Sequence, residues 1–247
     1  MIQNWKKLAV MAGIALAAVA GIVLLVIFVA VPAAKYGKAG ALERRGDRAA
    51  ACDAFDRLGG YRNAQARKQK LQDEVIATRS VQRMAFGGHS WLVLEERDGR
   101  ALLLLEVIEE KQPFDEPGSQ ASWEACTLRG WLNGAFYRSF GQAERARIAE
   151  TAVVNSGNAE YRIKGGGVTR DHIFLLSLEE AKLYFPDDAA RVGRSRDGRA
   201  AWWWLRSPGM AARLAAVVAG DGTLGAVGND VDYYDRGVRP AMWVTMQ

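Results

Sequence analysis

From Leu8 to Val31 the chain runs for 24 residues without a charged side chain. At about 1.5 Å per residue a helix of that length reaches roughly 36 Å, enough to cross a bilayer. A cleaved signal peptide is the alternative, because Val31-Pro32-Ala33 puts small residues at its end, but the apolar part of a signal peptide spans only about 7–15 residues. The pattern therefore predicts an uncleaved membrane helix over 8–32, after a basic leader over 1–7. Helical spacing of small and apolar residues follows over 33–83. One short helix carries Leu42 and stops at Gly46-Asp47; a second carries Ala50, Ala51, Ala54, Phe55 and Leu58 and stops at Gly59-Gly60; Tyr61 and Ala64 restart the pattern toward Leu71.

From Met84 alternation takes over. Phe86-Gly87-Gly88-His89 reads as a turn into a strand, Asp98-Gly99 as a hairpin turn, and Ala101 to Ile108 as one apolar strand. Ser122 to Phe140 predicts a helix capped by Ser122, with Trp123, Leu128, Leu132 and Phe136 inward and an irregularity at Asn133-Gly134. A second amphipathic stretch, Gln142 to Thr151, puts Ala143, Ala146 and Ile148 inward. Asp171 to Leu176 predicts a strand, and Ser177-Leu178-Glu179-Glu180 is a capping box opening a helix that Pro186 ends. The remainder is strand-rich: Trp202 to Arg206, Ala215 to Ala219, Thr223 to Val227 and Gly237 to Thr245. The expectation is an α+β head over 84–247.

Charge divides the same way. Residues 33–84 carry 12 Lys and Arg against 6 acids, whereas 85–247 carry 19 against 22, so the net +5 belongs to the neck and leader. A slightly acidic head gives no support for nucleic-acid binding. Lys6 and Lys7 immediately before the apolar run favour an inside leader with the head outside the cytoplasm, although Lys35, Lys38, Arg44, Arg45 and Arg48 on the other flank blur the rule.

The order of motifs is distinctive. Phe86-Gly87 with Trp91-x-Val93-Leu94, Trp123-Glu124 with Leu128-Arg129-x-Trp131-Leu132-Asn133 and Phe136, Asp171-x-Ile173-Phe174-Leu175-Leu176-Ser177, Trp203-x-Leu205-Arg206-Ser207 and Gly237-Val238-Arg239-Pro240-Ala241 resemble the bacterial family known as domain of unknown function 6273. That resemblance implies a head with a C-type-lectin-like fold, more distantly similar to formylglycine-generating enzymes and to variable proteins diversified by retroelements. Family members are often tethered by a membrane helix and tetratricopeptide-like units, and the neck resembles one such unit. A lone unit would act as a spacer or a self-association surface, giving a homo-oligomer through the neck.

Candidate chemistry is sparse. Cys52 and Cys126 cannot make a four-thiolate zinc site, and the head's single cysteine argues against formylglycine-type chemistry. No Gly-x-Ser-x-Gly elbow accompanies His89 or His172, and Gly165-Gly166-Gly167 lacks the Gly-Lys-Ser/Thr ending of a phosphate loop. No catalytic or metal-ligating residue is assigned. Asp221, Asp230, Asp232 and Asp235 suggest a calcium site by composition alone; solvated loop carboxylates are the plainer reading, and no cofactor is expected. Trp203, Arg206 and Arg239 are read as structural, the arginines as hydrogen-bonded struts in an aromatic setting.

The stretch with a recognition composition is 228–236, containing Asn229, Asp230, Asp232, Tyr233, Tyr234, Asp235 and Arg236. It is predicted as a loop between two strands, rich in rigid amphipathic rings and adaptable polar groups. Its place and content resemble the variable positions of retroelement-diversified proteins. The expectation is a single-pass, noncatalytic membrane protein that binds an external protein or glycan through this loop. The rivals are a structural or regulatory subunit of an envelope complex, and an enzyme with a polar pocket that sets His89 or His172 beside carboxylates.

Overall fold

In a computed structural model of the full chain, residues 19–20, 22–78 and 82–246 are described. The expected leader, residues 8–18 and 21 of the expected membrane segment and neck positions 79–81 lie outside them. Two compact units divide the chain, Met1–Leu71 and Gln72–Gln247.

In the first unit one helix is long and apolar enough to cross a membrane. It spans Ile22–Arg44, 23 residues with a window of mean hydropathy 1.8. The separate helix expected around Leu42 is the end of this same helix. Pro32 does not break it: the turn Val26–Ala30 loosens to π-helical spacing just before the proline, and Val31–Arg44 continues as α-helix. A local widening of this kind accommodates a residue that lacks an N–H and crowds the preceding turn. Gly46 takes a left-handed turn (φ 73°), and Asp47 caps the helix Arg48–Asp56, its carboxylate accepting from the Ala50 amide at 3.2 Å. Buried Ala39 and Gly40 let that helix approach with Ala49, Ala50, Ala51 and Phe55. Tyr36 meets Phe55 edge-on at 5.7 Å. From the helix Ala64–Thr78, Arg67 lies 4.6 Å over the Phe55 ring and pairs with Glu43. Cys52 is buried here, which pushes its thiol up to about 11.

The second unit is α+β. An antiparallel sheet runs in the order β1 (Arg83–Phe86), β2 (His89–Arg97), β3 (Arg100–Leu105), β14 (Ala241–Thr245). A five-stranded sheet runs β12 (Leu224–Asp230), β11 (Leu214–Val218), β10 (Trp203–Pro208), β13 (Gly237–Val238), β5 (Glu110–Lys111). Two small sheets complete it: β4 (Val107–Ile108) with β8 (Gly193–Ser195) and β9 (Ala200–Ala201), and β6 (Thr151–Val153) with β7 (Thr169–Asp171). β10 and β13 are parallel, as are β4 and β8. Trp91, Leu103, Leu104, Trp203, Trp204 and Phe114 fill the core.

Several predicted elements are corrected. The apolar run Ala101 to Ile108 is not one strand: it breaks at Glu106, whose carboxylate receives Arg83 Nε and Ser90 Oγ, each at 2.6 Å, and β4 joins a different sheet. Gly237 to Thr245 breaks at Arg239-Pro240, because proline cannot donate to a ladder. The helix expected from Ser122 begins at Thr127. Its amide is held by Asp115 Oδ1 at 3.1 Å, a cap supplied from another segment, while Ser122 closes a preceding turn through its carbonyl. It does contain π-helical spacing over Leu132–Phe136, at the Asn133-Gly134 irregularity. The stretch Gln142 to Thr151 is helical only over Gln142–Arg145; Ala143 and Ala146 are exposed and Ile148 alone of the three is buried. The strand expected over Asp171 to Leu176 stops at Asp171, because Asn133 Oδ1 takes the amides of His172 (2.8 Å) and Ile173 (3.2 Å). The capping box is formed: Ser177 Oγ accepts from the Glu180 amide at 3.1 Å and Glu180 accepts from the Ser177 amide at 2.8 Å.

Candidate functional site

Two surfaces of the second unit are candidates. The first contains the expected 228–236 stretch, and it is not one loop. Asn229 and Asp230 belong to β12, opposite Ala215 and Leu214, since the strand continues past its predicted end. Val231 is buried, and its carbonyl holds the amides of Phe114 (2.8 Å) and Asp115 (3.0 Å). Only the tip beyond it is free to present side chains: Asp232 is exposed, Tyr233 is 43% and Tyr234 80% exposed.

Arg236 organises this tip. Its Nε donates to Asn229 Oδ1 at 2.8 Å and its Nη1 to Asp235 at 2.6 Å. The guanidinium carbon sits 5.0 Å from the Trp202 ring centre and 5.1 Å from that of Tyr233. Cation–π contact with Arg236 helps fix both of these exposed rings in place. Trp202 carries no local sign of this role, because it reads as the first residue of the Trp202-Trp203-Trp204 strand. It precedes β10 and is 41% exposed, while Trp203 and Trp204 are fully buried. The four aspartates suggested for calcium are not gathered: Asp221 accepts from Thr223, Asp230 pairs with Arg213 and Asp235 with Arg236. Among the described residues no group of three or more His, Cys, Asp or Glu side chains could hold a metal ion.

The second candidate is a cleft of about 390 Å³. It is assembled from segments far apart in sequence, where β3, β5, β13 and the helix following Thr127 meet. His89 Nδ1 lies 3.0 Å from Glu109 Oε2, and Arg196 Nη2 reaches the same oxygen at 3.0 Å. Burial would raise the Glu109 carboxyl, but the hydrogen bonds from His89 and Arg196 hold it below the ordinary value. Opposite this polar cluster in composition are Trp131 and Phe136, stacked at 5.2 Å. His89 is thus beside a carboxylate in a pocket, whereas His172 stacks on Tyr137 at 4.4 Å. Sequence spacing gave no sign of this assembly; its only local signals are His89 at a turn-to-strand junction and the paired rings Trp131 and Phe136.

The residues that carry the motif pattern build the frame instead. Asp171, wholly buried, accepts from Trp123 Nε1 (2.9 Å), Arg129 Nε (2.6 Å) and Thr169 Oγ1 (2.7 Å). Arg206 pairs with both Glu180 oxygens and donates to the carbonyls of Leu175 (2.6 Å) and Val154 (3.1 Å). Arg239 has no such carboxylate clamp: Nε donates to Leu105 O at 3.0 Å and the guanidinium faces Trp203. Cys126 is buried beside this frame, which pushes its thiol up to about 12.

Residues 98–246 match the family described as domain of unknown function (DUF6273). The chain belongs to this family. The match begins at Asp98, inside the β2–β3 turn, and takes in both candidate surfaces except His89 at the start of β2. No curated protein and no solved structure matches the chain. Within the DUF6273 region the motif residues Trp123, Arg129, Asp171 and Arg206 lie in the buried Trp123–Asp171–Arg129 and Arg206–Glu180 networks.

Proposed function

We propose that this DUF6273 protein is a membrane-anchored, noncatalytic recognition module whose head, C-type-lectin-like and outside the cytoplasm, binds an external protein partner through the aromatic tip around Arg236. The apolar helix Ile22–Arg44 supports the anchor, with the tetratricopeptide-like neck as spacer. The observation that carries the reading is that Arg236 contacts the exposed rings of both Trp202 and Tyr233, with the more exposed Tyr234 next to Tyr233 in the chain. Large rings held on the surface lose little freedom on binding, and Trp, Tyr and Arg are the residues in which interface energy concentrates.

A catalytic reading has the His89–Glu109 contact in its favour. Against it, Glu109 is shared with Arg196, and Ser139 Oγ, the hydroxyl in the same cleft, donates to Phe136 O at 2.7 Å.

The test is photo-crosslinking of the full chain in its native membrane, with Tyr234→benzoylphenylalanine as the probe. A discrete adduct that disappears on adding Trp202→Ala and Tyr233→Ala, with unchanged melting, supports the reading. Absence of any adduct, or an adduct indifferent to those changes, rejects it.

A further inference from the structure

We propose that the cleft between His89 and Trp131 is a second, independent binding site, and that its ligand is a neutral polyhydroxylated ring, a pyranose sugar. The volume of about 390 Å³ falls in the range of roughly 300–1,000 Å³ typical of small-molecule sites. Its lining has two characters. Trp131 and Phe136 offer stacked ring surface, with Leu105 and Val238 adding apolar floor. Glu109, Glu110 and Arg196 offer charged groups along the same cavity, and His89 a polar ring.

The charges select among ligand classes. Arg196 is already paired with Glu109 at 3.0 Å, and Glu110 adds an exposed carboxylate, so an anion meets no spare positive charge. A cation meets a mutually neutralised Arg196–Glu109 pair and a single further carboxylate, Glu110, whose exposure leaves its attraction screened by water and salt. A wholly apolar molecule would strip water from the His89–Glu109–Arg196 cluster without replacing its hydrogen bonds, which is costly. A pyranose satisfies both kinds of wall: its C–H face lies on an indole, and its rim of hydroxyls donates to the carboxylates and accepts from Arg196. The pre-formed Arg196–Glu109 pair and the His89–Glu109 contact hold those partners in fixed positions before the ligand arrives, which reduces the ordering that binding requires.

The site differs from the aromatic tip, and its test separates the two. The full chain is embedded in lipid nanodiscs and titrated with maltose, cellobiose and chitobiose, each to about 20 mM, reading saturation transfer to the sugar, with choline chloride as the cationic control. The expected result is binding of at least one disaccharide at a Kd of about 1 mM or tighter. Trp131→Ala and Arg196→Ala should each weaken it by about tenfold or more, and Tyr233→Ala with Tyr234→Ala should leave it unchanged. Arg196 has a side chain 73% exposed, so its loss tests the site without threatening the fold. No transfer to any of the three sugars, binding unaffected by both cleft variants, or binding of choline in preference to the sugars would each overturn the proposal. A failure of the Tyr234 probe to crosslink any partner would leave this result standing, and the reverse holds as well.

Discussion

The guanidinium carbon of Arg239 lies 4.8 Å from the centre of the Trp203 indole, and the two side chains are 2% and 0% exposed. This contact sits where the chain passes from β13 to β14, beside the passage from β3 to β4: Leu105 N donates to Pro240 O at 2.9 Å and Arg239 Nε to Leu105 O at 3.0 Å. Two chain segments that each change sheets are thereby fastened to one another. The fastening is electrostatically lean. Burial pulls the Arg239 guanidinium down to about 10, only partly offset by Glu106, and Nη1 has no hydrogen-bond partner.

Arg239 and Arg206 should therefore respond differently to the same change. Replacing a poorly compensated buried charge by an apolar side chain of similar length is often nearly neutral, whereas removing one member of a buried pair costs about 3–5 kcal/mol. Arg239→Met should lose about 1 kcal/mol or less, because the methionine keeps its packing on Trp203. Arg206→Met should lose about 3 kcal/mol, since Glu180, the Leu175 carbonyl and the Val154 carbonyl all lose a donor. Thermal melting of the full-length variants decides it, and a larger loss for Arg239→Met than for Arg206→Met refutes the assignment.

Two glycines in similar-looking turns should separate just as clearly. Gly222 has φ +89°, and a Cβ there would lie 1.7 Å from the backbone oxygen of Asp188; its own carbonyl accepts from Arg191 Nε at 3.0 Å. Gly198 has φ +78° with open space around it. Gly198→Ala should cost about 1 kcal/mol, the strain of a left-handed backbone alone. Gly222→Ala adds a backbone collision and should cost about 3 kcal/mol or more. Equal melting temperatures for the two variants would contradict this.

Signals confined to a few residues were legible in the sequence. Asp98 and Gly99 both take positive φ (51° and 70°), as a tight hairpin requires, and Ser177 with Glu180 closes its capping box. The errors arise where a distant partner overrides a local signal. Asp115 caps the helix at Thr127 from 12 residues away, so the local candidate Ser122 is left to another turn. Asn133 captures the amides of His172 and Ile173 and so ends a strand whose hydrophobic pattern runs on. The chain from Arg100 to Lys111 visits three sheets in twelve residues, and no periodicity survives such short stays. At the tip, composition pointed to Tyr233, Tyr234 and Arg236, but not to Trp202, whose exposure depends on where β10 starts. The cleft was illegible for a simpler reason: His89, Glu109, Trp131 and Arg196 share no spacing rule.

Acid should weaken the fold through two glutamates. Hydrogen bonds from Ser90 first, then Arg83, hold the Glu106 carboxyl below its ordinary value near 4.5. Glu109 is likewise held low by His89 and Arg196 despite its burial. A carboxyl with a lowered native value binds fewer protons in the folded than in the unfolded state. Its contribution is therefore complete above the ordinary value and disappears as pH falls through the native one. Tryptophan-fluorescence melting of the full chain between about pH 7 and pH 3 should show Tm falling below the ordinary glutamate value. Glu106→Gln with Glu109→Gln should start from a lower Tm at neutral pH and fall less steeply on acidification, because neither amide titrates. A double variant whose Tm tracks the parent at every pH would show that these hydrogen bonds contribute nothing to acid sensitivity, and the loss would then belong to other carboxylates.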